Sequence, residues 1–201
     1  MQTYGLIGGV ASGKSIVAEL FCQFGAEKID ADKLGHCAFL IPEVKVKIQE
    51  RWGDSVFDDN GNIVRKKIAS IVFTSADQGQ QELLFLQELI HPMIKRGVVS
   101  QYLKYKAKNV PLILLDAPLL LEAGWDRWID QIVFVDAPWQ IRLSRALSRG
   151  WTAQEFDARE NAQLPIEKKK MQANYIIDNS GTLEKTREQV EEIIVGGHRS
   201  R

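Results

Sequence analysis

The sequence predicts a three-layer α/β fold: a five-stranded parallel sheet with a helical insertion and a lid. Three observations lead there. Pro111-Leu-Ile-Leu-Leu115 and Gln131-Ile-Val-Phe-Val135 are unbroken apolar runs, the pattern of strands covered on both faces. Gly8-Gly-Val-Ala-Ser-Gly-Lys-Ser15 joins a first apolar run to a helical period, a glycine-rich strand-to-helix turn. Between Asp32 and Asn109 several helices can be read but no convincing buried strand.

Each element follows from its pattern. Thr3 to Ile7 reads as a strand, followed by a helix from Ser15 to Phe24 with Ile16, Leu20 and Phe24 on one face and Gly25 as its stop. A second strand ends at Ile29-Asp30. In the helical stretch Pro42 and Pro92 stand where helices can start, and Asp58-Asp-Asn-Gly61 is a turn. After the strands at 111–115 and 131–135, helix periodicity resumes from Trp139 to Arg149, and Thr152-Ala-Gln-Glu155 has the capping-box spacing of another start. A last strand at Tyr175 to Ile177 precedes a helix from Leu183 to Val195, with Leu183, Val190 and Ile194 sharing a face, and a frayed end from Gly196 to Arg201. The expected division is one domain: a core of about residues 1–32, 109–138 and 174–201, a helical insertion of about 33–108, and a lid of about 139–173.

Composition narrows the partners. Of 201 residues 45% are hydrophobic and 26% charged, enough for an ordinary globular core. Lys plus Arg and Asp plus Glu are both 26, so the net field gives no reason to expect nucleic acid or an anionic membrane as partner. The five tryptophans have no basic stripe beside them and read as packing residues. Cys22 and Cys37 show no metal-ligand spacing and suggest a reducing compartment. The first 13 residues carry no Lys or Arg, and no apolar run reaches the length of a membrane span, so the expected location is cytoplasmic.

The strongest signal is the glycine-rich turn, which fits G-x-x-x-x-G-K-[ST] at every specified position. Its glycines let backbone N–H groups of Gly9, Val10, Ala11, Ser12 and Gly13 converge on phosphate oxygens, and the following helix adds its positive end through Lys14, Ser15 and Ile16. Lys14 is expected on the β and γ phosphates and the Ser15 hydroxyl on Mg²⁺. This is a P-loop, and it makes the fold a P-loop NTPase fold.

Carboxylates stand at strand ends. If the extension of the second strand persists, Asp30 and Asp32 share one face near the sheet's carboxyl edge, where ligands sit in open α/β sheets; a helix N-cap is the equally supported alternative. Asp116 ends the third strand, in the place of the acidic residue that holds Mg²⁺ through water. Arg142, Arg145 and Arg149 are spaced i, i+3, i+7 on one helix face, and residues 142–170 hold seven bases against four acids. A solvated basic face and a phosphate clamp on a mobile lid both fit that pattern.

Taken together, the chain resembles the dephospho-CoA kinase family from Gly5 to about Leu183. The resemblance rests on Gly5 to Ser15, Ile29-Asp-Ala-Asp32, His91-Pro92, Asp116-Ala-Pro-Leu-Leu-Leu-Glu122, Gln140 with Arg142 and Arg149, Gln163, and Ile177-Asp-Asn-Ser-Gly181. It implies a P-loop kinase core with a helical substrate region and a lid, ATP and Mg²⁺ as cofactors, and the ribose 3′-hydroxyl of dephospho-CoA as acceptor. It implies Asp32 as catalytic base with Lys14 and Arg142 as catalytic cations, and Arg142, Arg149, Asn179 and Gly181 on the nucleotide. Asp32, His91, Pro118 and Leu119 would meet the acceptor. A small-molecule partner and a monomer or weak homo-oligomer complete the expectation. The chain departs from the pattern at His36, where an arginine is usual, and at Ala11, Ile16 and Gly150, which replace a glycine, a threonine and an aspartate. Two other classes compete: a nucleoside monophosphate kinase of the same architecture, and a nucleotide-dependent switch. The guanine-reading Asn-Lys-x-Asp that would support the switch is missing.

Overall fold

In the computed structural model, which describes residues 1–74 and 77–199, β1 (Gln2–Gly8) is buried along its whole length. Both neighbours pair with it in parallel: β3 (Leu112–Asp116) on one side and β4 (Gln131–Asp136) on the other. Outside these lie β2 (Glu27–Asp30) on β3 and β5 (Tyr175–Asp178) on β4, giving the order β2-β3-β1-β4-β5. The helices α1 (Lys14–Gln23) and α9 (Leu183–Arg199) cover one face. There Tyr4, Leu6, Leu114 and Val133 meet Val17, Leu20 and Phe21 of α1 and Val190, Ile193 and Ile194 of α9. Parallel pairing aligns the strands' carboxyl ends, so Asp116 pairs in register with Asp30 and with Leu6, two residues before the P-loop's first glycine.

The chain divides into two compact units, Met1–Asp30 with Gln101–Arg201, and Ala31–Ser100. The first holds the sheet together with α6 (Trp139–Ser148), α7 (Ala153–Asn161) and α8 (Ile166–Met171). Thr152 caps α7 with the full reciprocal box that its spacing predicts. The second holds α2 (Ala31–Ala38), α3 (Pro42–Trp52), α4 (Arg65–Val72) and most of α5 (Asp77–Ala107). Its core is Val44, Ile48, Val56, Ile68, Val72 and Leu86. Glu82 anchors α3 by accepting from Arg51 Nε and Nη2, each at 2.9 Å, and from Trp52 Nε1 at 2.8 Å.

Four local expectations are corrected. Pro92 lies inside α5 rather than at a helix start. It has no N–H for the Glu88 carbonyl, but buried Leu86, Ile94 and Val98 continue the apolar stripe through it, and packing outweighs the lost bond. In α1 the buried face is Val17, Ala18, Leu20 and Phe21, while Ile16 is 44% exposed: the core stripe runs one position later. In α9 Leu183 is 60% exposed, and the stripe begins at the fully buried Thr186, whose hydroxyl donates to Asn179 Oδ1 at 3.1 Å; a polar residue is invisible to an apolar period. The expected fraying after Val195 is replaced by helix to Arg199, with Ser200 and Arg201 outside the described residues.

Candidate active site

The P-loop leaves the carboxyl end of β1 and turns sharply enough that Ser12 N donates to Gly9 O at 3.2 Å. Gly13 has φ +97°, and a Cβ there would collide with the Asn179 side-chain amide, so only glycine fits. Ala11 also takes a left-handed φ, 57°, which costs an L-residue about 1–2 kcal/mol. Ala11 thus holds a backbone conformation that favours glycine, at an energetic cost. Ser12 is 1% exposed and its Oγ has no hydrogen-bond partner among the described residues. A buried hydroxyl without a partner inside a phosphate-binding turn is the mark of a site shaped for a ligand's oxygens.

Two arginines of α6 hold this loop by its carbonyls. Arg142 is 3% exposed and donates from Nε to Ala137 O at 3.1 Å and from Nη1 to Val10 O at 3.2 Å and Glu160 Oε2 at 2.6 Å. Arg145 donates to Ser12 O at 3.0 Å and to Asn179 O at 2.8 Å, while Asn179 Nδ2 also donates to Ser12 O at 2.8 Å. A solvated basic face does not describe these two side chains. Arg149 is exposed at the C-terminal end of α6. Arg145 shares the predicted face at i+3 from Arg142, although the resemblance implies a nucleotide role only for Arg142 and Arg149. Gly181 follows β5, and a Cβ there would make only ordinary contact with Lys185.

Asp116 closes β3 opposite Asp30, whose Oδ2 pairs with Lys28 Nζ at 3.1 Å. Partial burial acts to lower the Lys28 pKa, but the hydrogen bond and charge of Asp30, with the charge of Asp116, raise it above the ordinary value. Partial burial pushes the Cys22 thiol pKa up, and Cys22 and Cys37 are both free and exposed. In the loop after Asp116, Pro118 O accepts from Lys169 Nζ at 3.2 Å. In the sequence Lys169 is one of several bases, and nothing local distinguishes it from Lys168 or Lys170.

Asp32 belongs to the second unit. The extension that would align it with Asp30 does not persist, because the strand ends at Asp30 and the chain becomes helical at Ala31. Asp32 is exposed in the first turn of α2, where a carboxylate is favoured by the helix dipole. One turn on, His36 Nε2 contacts Arg65 Nη1 from the first turn of α4. His91 sits half-buried within α5, and burial lowers its imidazole pKa. Among the described residues no group of three or more His, Cys, Asp or Glu side chains is placed to hold a metal ion, and no helix is long and apolar enough to cross a membrane.

A family model described as dephospho-CoA kinase matches residues 2–185. The chain belongs to the dephospho-CoA kinase family. A dephospho-CoA kinase of Aquifex aeolicus (strain VF5) is 35% identical to it over 194 residues, 96% of both chains. Among solved structures, TT1252 from Thermus thermophilus superposes with a TM-score of 0.79 at 28% identity, covering 98% of this chain and 97% of that one. A dephospho-CoA kinase from Campylobacter jejuni shares the fold, with a TM-score of 0.70 at 22% identity, covering 99% of this chain and 98% of that one. Membership in the dephospho-CoA kinase family makes the chain a kinase of coenzyme A biosynthesis with a nucleotide-binding P-loop, and its five-stranded parallel sheet the P-loop kinase fold.

Proposed function

We propose that the protein transfers the γ-phosphoryl group of ATP to the ribose 3′-hydroxyl of 3′-dephospho-CoA, giving coenzyme A and ADP. The observation that carries the reading is the P-loop, with its buried Ser12 hydroxyl that has no partner among the described residues and its two arginine-held carbonyls, in a chain of this family. The donor set suits the nucleotide: backbone N–H groups of residues 9–16 and the positive end of α1 meet phosphate, and Lys14 meets the β and γ oxygens. Arg142, Arg149, Asn179 and Gly181 serve the nucleotide side. Hard oxygen donors, the Ser15 hydroxyl and Asp116 through water, suit Mg²⁺, which keeps several waters of its own. When bound, the ion neutralises charge on the transferring phosphate.

In the reaction the 3′-oxygen forms a bond to the γ-phosphorus as the bond to the bridging oxygen of ADP breaks, and ADP leaves with that electron pair. The hydroxyl proton goes to Asp32, whose work is orientation and late proton removal. His91, Pro118 and Leu119 contact the acceptor, residues 33–108 form its binding region, and residues 139–173 act as the lid. The reading is of a cytoplasmic enzyme. Incubating the protein with ATP and Mg²⁺ and either dephospho-CoA or nucleoside monophosphates tests it. Coenzyme A as the main product is expected; phosphorylation of the monophosphates instead, or ATP hydrolysis alone, would overturn it.

A further inference from the structure

Lys169 is the most buried cation among the described residues, 1% exposed, and it comes from the middle of the short helix α8. Its ammonium has three protons and three acceptors around it: Gln163 Oε1 at 2.8 Å, Glu122 Oε1 at 3.0 Å and Pro118 O at 3.2 Å. Glu122 Oε1 also accepts the Leu164 N–H at 2.9 Å. The cluster therefore fastens Pro118 and Glu122 of the loop 117–124, which follows Asp116, to α8 and the connection that precedes it. From the other side the loop is seated on the sheet by Leu120, fully buried, whose Cδ1 would lie 2.7 Å from a Cβ on Gly5 of β1.

A buried ion pair is a poor way to gain stability, since apolar residues of the same volume commonly do as well. What a satisfied one supplies is a defined geometry. Three acceptors from three separate chain positions need a donor that radiates in three directions, which a flat guanidinium does not match and an apolar side chain cannot replace. The adjacent Lys170 is a natural contrast: it is more exposed and pairs with Asp136 at the end of β4 at 2.7 Å.

We propose that Lys169 is a positioning residue for phosphoryl transfer, holding loop 117–124 so that Pro118 and Leu119 meet the acceptor in a productive pose. This rests on the acceptor role given to that loop above. Lys169 touches neither nucleotide nor acceptor and acts through the loop.

Steady-state kinetics and ATP titration of Lys169→Met test it. Because small misplacements at a reacting centre cost about 10²-fold, Lys169→Met should lower kcat/KM for dephospho-CoA by about that factor while ATP affinity stays within about threefold. Lys169→Arg, which keeps the charge but not the three-way geometry, should recover only part of the loss. Hydrogen exchange gives a reading that does not depend on the acceptor. The amides of Leu120, Ala123, Gly124 and Trp125, which donate within the loop, should exchange faster in Lys169→Met than in the parent. Unchanged kcat/KM, equal losses toward ATP and dephospho-CoA, or unchanged exchange in the loop would each overturn the proposal. If Lys169→Met does not fold, Glu122→Gln, which keeps the shape and removes the anion, is expected to show the same split. A parent protein inactive on dephospho-CoA would instead overturn the proposed function, while the exchange result would still decide whether Lys169 holds the loop.

Discussion

The P-loop and the helix bearing Asp32 solve opposite problems. Around the P-loop the backbone is forced into left-handed turns at Ala11 and Gly13 and gripped by Arg142, Arg145 and Asn179, so its N–H groups are fixed in advance. Asp32 and His36 instead stand exposed on the first two turns of α2, with Arg65 against His36. The contrast teaches where each group's contribution comes from. A phosphate site works by preorganised dipoles that cost nothing to reorient during reaction, whereas the base proposed at Asp32 has to come within hydrogen-bond reach of the acceptor hydroxyl.

The sharpest way to break this comparison is Asp32→Asn. It keeps the shape, and Asn suits a helix start as well as Asp does, so a structural role predicts almost no change. A base predicts a kcat lower by about 10²–10⁴ with ATP affinity nearly intact, and a variant retaining half its rate would remove Asp32 from catalysis. Lys14→Met comes next. Losing the charge on the transferring phosphate should lower kcat by about 10² or more without unfolding the loop, and near-normal turnover would refute the phosphate assignment.

Arg145→Ala sharpens the preorganised side. It removes donors from Ser12 O and Asn179 O, each bond from a charged group being worth about 1.5–3 kcal/mol. Titration should show ATP affinity reduced by about tenfold, more than the acceptor KM changes; a lower melting temperature with unaltered ATP affinity would make Arg145 a strut of the fold alone. The smallest effect concerns the second unit. Burial lowers the His91 pKa in the folded state, so the unfolded chain binds the extra proton more readily. The stability from a neutral His91 is complete above the unfolded value of about 6.5 and is lost as pH falls through the folded value. His91→Gln should therefore flatten the fall in melting temperature between pH 7 and pH 5. Parallel curves for the two proteins would show that His91 is not linked to folding.

The sequence by itself determined what is written in contiguous residues. The P-loop needs its backbone and charges within eight positions, strands such as 111–115 and 131–135 announce burial through unbroken apolar runs, and the capping box at Thr152 needs only three residues' spacing. Tertiary structure alone decided everything that depends on distant partners. Arg145 acquires its role from Ser12, 133 residues away, and Lys169 from Pro118, 51 residues away. Pro92 stays helical because the stripe packed on either side outweighs one missing hydrogen bond. Thr186 can line the core because Asn179 Oδ1 accepts its hydroxyl's hydrogen bond. Asp30 and Asp32 part company because the strand stops at the first of them, a boundary set by where β2 loses its partner β3 at Asp116, and no periodicity within the segment encodes that.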